Sequence, residues 1–304
     1  MRAAAIDVGS NTIRMVIGEC RDGRLMPQRY DREIVRLAGE FSSRSELADA
    51  SISRALAALK SFHKTLINEN ISVLRVVGTA VLRRAANRQN FIARLHRETG
   101  LRLEVISGDE EARLTARGVL SVIEPAVDTA IIIDIGGGST EFIGITAGEI
   151  CFQTSYPLGV VRLCEEFSSV AARTDEICRI IDIFLGQLRQ TGLDLHNCQL
   201  IGTAGTVTTL AALDLGLIKY DAAKINNHHL SNSCLLDINQ QLKCLPLAER
   251  EQLAGMEKGR GDLILPGLEI ILTLLKKHKF PHLIVADAGL LEGVFLGLCP
   301  VNSD

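Results

Sequence analysis

Two short stretches place an acid near the end of an apolar run and follow it with glycine and hydroxyl residues. In AIDVGSNTIR (5–14) the acid is Asp7, followed by Gly9, Ser10 and Asn11. In IIIDIGGGSTE (131–141) it is Asp134, followed by Gly136, Gly137, Gly138, Ser139 and Thr140. Such a turn suits a bulky anion. Glycines let the backbone approach closely and adopt positive φ, and successive main-chain N–H groups form a concave nest for phosphate oxygens. The hydroxyls supply further donors. The carboxylate can hold Mg²⁺ directly or through water, because this cation keeps much of its hydration. A single D-x-G or G-G-G carries little weight, since either can form an ordinary hairpin or bulge. The pair is specific because it recurs at the same place in a repeat.

The elements that must position these turns echo each other. AIDVGSNTIRMVIGECRDGRL (5–25) reads as strand, tight turn, strand, turn, and IIDIGGGSTEFIGITAGEI (132–150) does the same, with Asp7 matching Asp134 at an offset of 127 residues. Ile13, Met15 and Ile17 alternate with other residues, which marks the return strand of a hairpin. A second echo pairs LRVVGTAVLRRAA (74–86) with QLIGTAGTVTTLAAL (199–213), each a short strand ending in Gly-Thr and passing into a helix. A weaker third pairs LEVISGDEEARL (103–114) with LIVADAGLLEGV (283–294). The order of these echoes predicts a duplicated α/β domain whose two phosphate turns face each other across a cleft.

Helical periodicity is expected over 51–70, over 90–100 with Gly100 as the stop, and over 174–192 with Thr174 as cap and Gly192 as terminator. The apolar stretch 265–280 reads as a core helix near the domain joint, and SVIEPAVDT (121–129) as the linker. In SGDEEARL (107–114), Ser107 or Asp109 can cap a helix whose first turn is acidic, as the helix dipole favours.

Composition bounds the rest. The chain has 304 residues, is 47% hydrophobic and 23% charged, and has a formal net charge of −3. That supports a well-buried core and gives no electrostatic case for nucleic acid or a membrane surface. The eight cysteines show no zinc-like spacing and are expected to be reduced thiols. With no signal-like leader and no membrane-length apolar run, a soluble cytoplasmic protein is expected.

The motifs AIDVGSNTIRMVIGE, VVGTAVLRRA, ISGDEEARL, IIDIGGGSTEF, IGTAGT and GRGDLILPG occur in order from Ala5 to about Leu298. Together they resemble the exopolyphosphatase/guanosine pentaphosphate phosphohydrolase (Ppx/GppA) family of the actin, Hsp70 and sugar kinase superfamily. The resemblance implies two ribonuclease H-like, actin-like ATPase domains, at 1–124 and 125–287, with a C-terminal helix at about 288–304 returning to the first. It implies Glu111 as the general base that activates water, with Glu110 in support. Gly9, Ser10, Asn11, Gly136, Gly137, Gly138, Ser139 and Thr140 would contact phosphate, joined by Arg83 and, as further cations, Arg14 and Arg260. Asp7, Asp134 and Glu141 would hold a divalent cation, Mg²⁺ or another.

The implied reaction is hydrolysis of the terminal phosphoanhydride of polyphosphate or guanosine pentaphosphate, and the resemblance also allows a homodimer. Two features depart from the pattern. Leu291 stands in ADAGLLEGV where the family usually has arginine, and the chain stops short of the helical HD-type module of longer members, so looser, less processive grip on polyphosphate is expected. The adjacent His228 and His229 are no sign of an HD-type metal site, since no Asp with that family's spacing accompanies them, and they read as surface residues. Two other readings stay open: a superfamily kinase or ATPase holding adenosine at 201–210, and a non-catalytic polyphosphate or nucleotide sensor.

Overall fold

Strand β1 (Arg2–Val8) sends alternate side chains to opposite faces of a sheet. Ala4, Ile6 and Val8 join one core cluster, whereas Ala3 and Ala5 join another. The computed structural model describes residues 1–39, 45–278 and 280–300. It divides into two units, one of Met1–Ser121 together with the segment from Ala288 onward, the other of Val122–Asp287.

In the first unit, β1 pairs antiparallel with β2 (Thr12–Arg21), which pairs with β3 (Arg24–Ile34). After α1 (Asp49–Asn68), β4 (Leu74–Gly78) lies parallel to β1. Helices α2 (Ala80–Arg84) and α3 (Arg88–Thr99) lead to β5 (Leu103–Val105), parallel to β4, and then to α4 (Gly108–Leu120). The sheet order is β3-β2-β1-β4-β5. Ile13, Met15 and Ile17 fall on one face with Phe62 and Phe91, as the alternation predicts.

The second unit repeats the plan. The hairpin β6 (Thr129–Ile135), β7 (Thr140–Thr146) and β8 (Glu149–Tyr156) precedes α5 (Val160–Glu166) and α6 (Val170–Gln190). Strand β9 (Gln199–Thr203) then lies parallel to β6 and runs into α7 (Ala204–Asp214). Beyond α8 (Ala222–Ile225) come β10 (His229–Ser231), α9 (Asn232–Cys244), α10 (Leu247–Arg250), the core helix α11 (Ile264–His278) and β11 (His282–Val285). The order is β10-β11-β9-β6-β7-β8, so β8-β7-β6-β9-β11 retraces the first sheet and β10 is an added edge. Even the irregularities repeat: ladder shifts fall at Ile17/Gly18 and at Gly144/Ile145. The weak third echo is a topological equivalence, β5–α4 with β11 and the final helix α12 (Leu290–Leu296).

Helix α12 returns to the first unit. Gly293 lies so close to Leu114 of α4 that an added Cβ would sit 1.8 Å from its carbonyl oxygen, and Gly118 is equally tight on Gly289. Leu291, in the position where an arginine was expected, is 1% exposed and packs in the cluster of Ala3, Ala5, Val16 and Phe295.

Several local expectations are corrected. The cap of α6 is Ser169, which accepts from the Ala172 N–H, while Thr174 lies inside the helix and bonds to the Val170 carbonyl. Ser107 rather than Asp109 caps α4, because its side chain reaches the Glu110 N–H at 3.1 Å. Gly100 and Gly192 do end their helices in the left-handed region. Cys20 and Cys299 are joined as a disulfide 279 residues apart in sequence, contrary to eight reduced thiols; the fold brings the end of β2 to the residues after α12. His228 Nε2 lies 2.6 Å from Asp214 Oδ2, because α7 ends beside it. No helix among the described residues is long and apolar enough to cross a membrane.

Candidate active site

In the first unit the turn after β1 is held by carbonyls. Asn11 O accepts from the N–H groups of Val35 and Arg36, Ser10 O accepts from Ala38, and Gly9 N–H donates to Thr12 O at 3.1 Å. Among the described residues, no backbone hydrogen bond uses the N–H of Ser10 or Asn11. These are donors that the turn itself does not consume, the kind a nest for an anion needs. Gly9 is required for closeness rather than for left-handed φ, since an added Cβ would stand 3.0 Å from Thr12 O.

Asp7 and Arg14 are cross-strand partners on one face of this hairpin. Arg14 donates to Asp7 Oδ2 through Nη2 at 2.7 Å and Nε at 3.2 Å. Asp7 is 4% exposed, and its Oδ1 is the one buried side-chain oxygen or nitrogen without a hydrogen bond among the described residues. Two nitrogens of Arg14, expected near phosphate, are therefore committed to the carboxylate.

Arg83 and Glu111 come from separate echoes and meet. Parallel pairing of β4 and β5 sets α2 and the start of α4 side by side, and Arg83 Nη1 reaches Glu111 Oε2 at 2.5 Å and the Ile106 carbonyl at 3.2 Å. Glu111 lies in the first turn of α4, where the helix dipole favours negative charge. Its neighbour Glu110 instead bonds to Arg75 at 2.6 Å, which also holds Glu104.

In the second unit the three-glycine turn packs on α5. The Gly136 and Gly137 carbonyls accept from Val160, Val161 and Arg162, so the turn caps the start of that helix. Gly159 permits this approach, as a Cβ there would stand 2.2 Å from Gly137 O. The N–H groups of Gly137, Gly138 and Ser139 make no backbone hydrogen bond among the described residues. None of Gly136, Gly137 and Gly138 has positive φ, contrary to the sequence expectation; the turn's own closure and the packing of Gly159 account for the bare backbone.

Asp134 faces Glu141 in the β6–β7 ladder, at the register where Asp7 faces Arg14. Glu141 Oε1 accepts hydroxyls from Ser139 at 2.6 Å and Ser155 at 2.7 Å. Thr140 corrects the sequence reading. It is fully buried and its hydroxyl donates to the Leu158 carbonyl at 2.6 Å, so that donor is spent inside the fold.

Arg260 lies elsewhere in this unit, paired with Glu257 and stacked on the first turn of α7. A Cβ on Gly205 would fall 1.9 Å from Arg260 Nη2, so a larger residue there would have to push the guanidinium aside. The preceding Ala204 adopts φ 68°, strained for a residue with a side chain. Ser155, Gly205 and Glu257 carried no signal in the sequence; their roles come from strands and turns that meet only in the fold.

The donors suit a hard divalent cation. The second unit offers a cross-strand pair of carboxylates, and the first, taken by itself, a buried carboxylate oxygen without a hydrogen bond; Mg²⁺ takes one or two carboxylates and keeps its waters. No group of three or more His, Cys, Asp or Glu side chains forms a metal cage among the described residues.

Two units of this topology in one chain make the actin-like ATPase-type two-domain fold, and solved structures share it throughout. The Aquifex aeolicus member of the Ppx/GppA protein family matches with TM-score 0.84 and 29% identity, covering 98% of this chain and 97% of its own. An exopolyphosphatase from Cytophaga hutchinsonii matches with TM-score 0.86 and 28% identity over 98% of both chains. In sequence the chain is 32% identical to exopolyphosphatase 2 of Mycobacterium tuberculosis, over 98% of each. It is 30% identical to part of a Fusobacterium nucleatum bifunctional 3-dehydroquinate synthase/phosphatase, covering 46% of that protein. The profile of the Ppx/GppA phosphatase family matches residues 16–301. The chain belongs to that family, and it is a phosphatase.

Proposed function

We propose that the chain is a Mg²⁺-dependent exophosphatase that removes the terminal phosphate of inorganic polyphosphate, guanosine pentaphosphate, or both. The observation that carries this reading is the Arg83–Glu111 pair, which sets a carboxylate at a helix start beside a guanidinium suited to phosphate. The exopolyphosphatase names of the relatives support polyphosphate as substrate.

In the proposed reaction Glu111 orients a water molecule and takes its proton as the oxygen attacks the terminal phosphorus. The bond from that phosphorus to the bridging oxygen breaks, the shortened chain leaves with the electron pair, and orthophosphate is released. The unused N–H groups of the two turns and Arg83 bind and align the phosphate, with Arg260 as a further cation. Positioning and charge stabilisation supply most of the rate in such loose transition states. Asp134, Glu141 and Asp7 would hold Mg²⁺, which when bound neutralises phosphate charge.

A kinase of the same superfamily would use the 201–210 turn to hold adenosine, but here Arg260 already rests on Gly205. Orthophosphate release from polyphosphate and from guanosine pentaphosphate, with Mg²⁺ and then with chelator, tests the reading. Metal-dependent release from at least one substrate is expected. Release from neither, with phosphate transfer from ATP to an acceptor, would favour the kinase; binding without release would favour the sensor.

A further inference from the structure

The echo that pairs Gly78-Thr79 with Gly202-Thr203 carries a threonine to which the proposed reaction assigns no role. Thr79 is 5% exposed and stands at the N-cap of α2, where a threonine ordinarily accepts an N–H of the first turn. Its side chain makes no such bond, and its hydroxyl has no other hydrogen-bond partner among the described residues. Buried hydroxyls normally find one, as Thr99 does in the Leu95 carbonyl and Thr140 in that of Leu158. Thr115, Thr206 and Thr209 are also buried without a partner, but they lie inside α4 and α7, whereas Thr79 follows the end of a strand. The Thr79 oxygen is not sealed in the interior either. Asp7 Oδ1 is the one side-chain oxygen or nitrogen in that state among the described residues, so the Thr79 hydroxyl reaches solvent.

The sheet fixes where it opens. Strand β4 is the middle of three parallel strands, between β1, which carries Asp7 to the first turn, and β5, which leads to Glu111. Thr79 N–H donates to the Val8 carbonyl at 3.4 Å, and the preceding Gly78 carbonyl accepts from Ile106 at 3.1 Å. Neighbouring strands lie about 4.8 Å apart, so Thr79 stands one strand from the first turn and one from the approach to α4. Alternation sets its face. Val76 packs with Ile6 and Val8, and a Cβ on Gly78 would meet Leu82 and Leu103 of the same cluster. Val77 packs on the other face, with Ala3, Ala5 and Leu114 of α4. Asp7 continues the row of Ala3 and Ala5, and Thr79 that of Val77, so both side chains share the face that α4 covers. Arg83 closes the group: its N–H donates to the Thr79 carbonyl at 3.0 Å, while its guanidinium holds Glu111.

We propose that Thr79 is a further substrate contact: its hydroxyl donates a hydrogen bond to an oxygen of the terminal phosphate, between the Asp7 carboxylate and the Glu111 base. A neutral hydroxyl can hold one phosphate oxygen without adding a cation that would compete with Arg83 for Glu111. The inference rests on the exophosphatase reading above.

The test compares Thr79→Val and Thr79→Ser with wild type, by orthophosphate release from polyphosphate and from guanosine pentaphosphate at saturating Mg²⁺ and by thermal unfolding. Valine keeps the branched shape and removes only the hydroxyl. In Thr79→Val, kcat/KM is expected to fall by about 10–100-fold on every substrate that wild type hydrolyses, the range of a lost hydrogen bond to a charged group. Thr79→Ser, which keeps the donor, should stay within about threefold of wild type. The melting temperature of Thr79→Val should be no lower than wild type, because the fold loses no hydrogen bond. Wild-type kinetics in Thr79→Val, an equal loss in Thr79→Ser, or a loss that tracks a lower melting temperature would overturn the inference, while phosphate release by wild type leaves the proposed function standing. A wild type that releases phosphate from neither substrate would overturn both.

Discussion

Asp134 faces Glu141 across the β6–β7 ladder at the register where Asp7 faces Arg14 across β1–β2. The repeat keeps the acid on the first strand and changes its opposite residue from cation to anion. One hairpin therefore carries a neutralised acid with a spare oxygen, and the other carries two acids side by side. Like charges opposed across strands are destabilising. Ser139 and Ser155 hold Glu141 in that position.

Glu141→Gln should relieve the repulsion and weaken the cation site together. In chelator-treated protein the melting temperature is expected to rise by about 0.5–1 °C, following the few tenths of a kcal/mol such pairs cost. The Mg²⁺ concentration for half-maximal phosphate release should rise by about tenfold or more. A lower melting temperature with an unchanged Mg²⁺ titration would show that Glu141 serves structure alone.

Thr140→Val removes a hydroxyl whose partner is the Leu158 carbonyl. A loss of about 0.5–1.5 kcal/mol is expected in denaturant unfolding, with KM for polyphosphate unchanged and Thr140→Ser restoring stability. A raised KM at unchanged stability would return this hydroxyl to phosphate binding.

How far the sequence carried the reading follows from the same residues. The repeat was legible because Asp7 and Asp134, with their glycines, keep one offset, and the fold keeps it through matched ladder shifts. Thr140 misled because Ser-Thr after glycine looks like two donors; in a strand adjacent side chains point to opposite faces, so Ser139 stays at the surface of the turn and Thr140 turns inward. Contacts between distant segments had no pattern to betray them: Ser155 on Glu141 and Gly205 beneath Arg260. Cys20 and Cys299 are the extreme case, at opposite ends of the chain.

Gly205→Ala should act as a mild form of Arg260→Ala. The new methyl displaces the guanidinium, although alanine itself suits the first turn of α7. Each variant is expected to lower kcat/KM by about tenfold or more, the scale of a lost charge-assisted hydrogen bond. The double variant should be no worse than Arg260→Ala alone. Full activity in Gly205→Ala with loss in Arg260→Ala would show that the stacked position is not the working one.

The Cys20–Cys299 link closes almost the whole chain into one loop and ties the residues after α12 to β2. Alkylation of denatured, unreduced protein should label six cysteines and spare these two. Reductant or Cys20→Ser should lower stability, by up to roughly 5 kcal/mol on the loop-entropy scale. Labelling of all eight in freshly purified protein, with stability indifferent to reductant, would contradict the link.

The central claim is that the carboxylate of Glu111, held by Arg83, takes the proton of the attacking water. Orthophosphate release from polyphosphate at saturating Mg²⁺, comparing wild type with Glu111→Gln, tests it most directly. A fall in kcat of about 10²–10⁴-fold is expected, with substrate binding and melting temperature near wild type. A kcat within about twofold of wild type in the folded variant, far short of the loss expected on removing a general base, would contradict it.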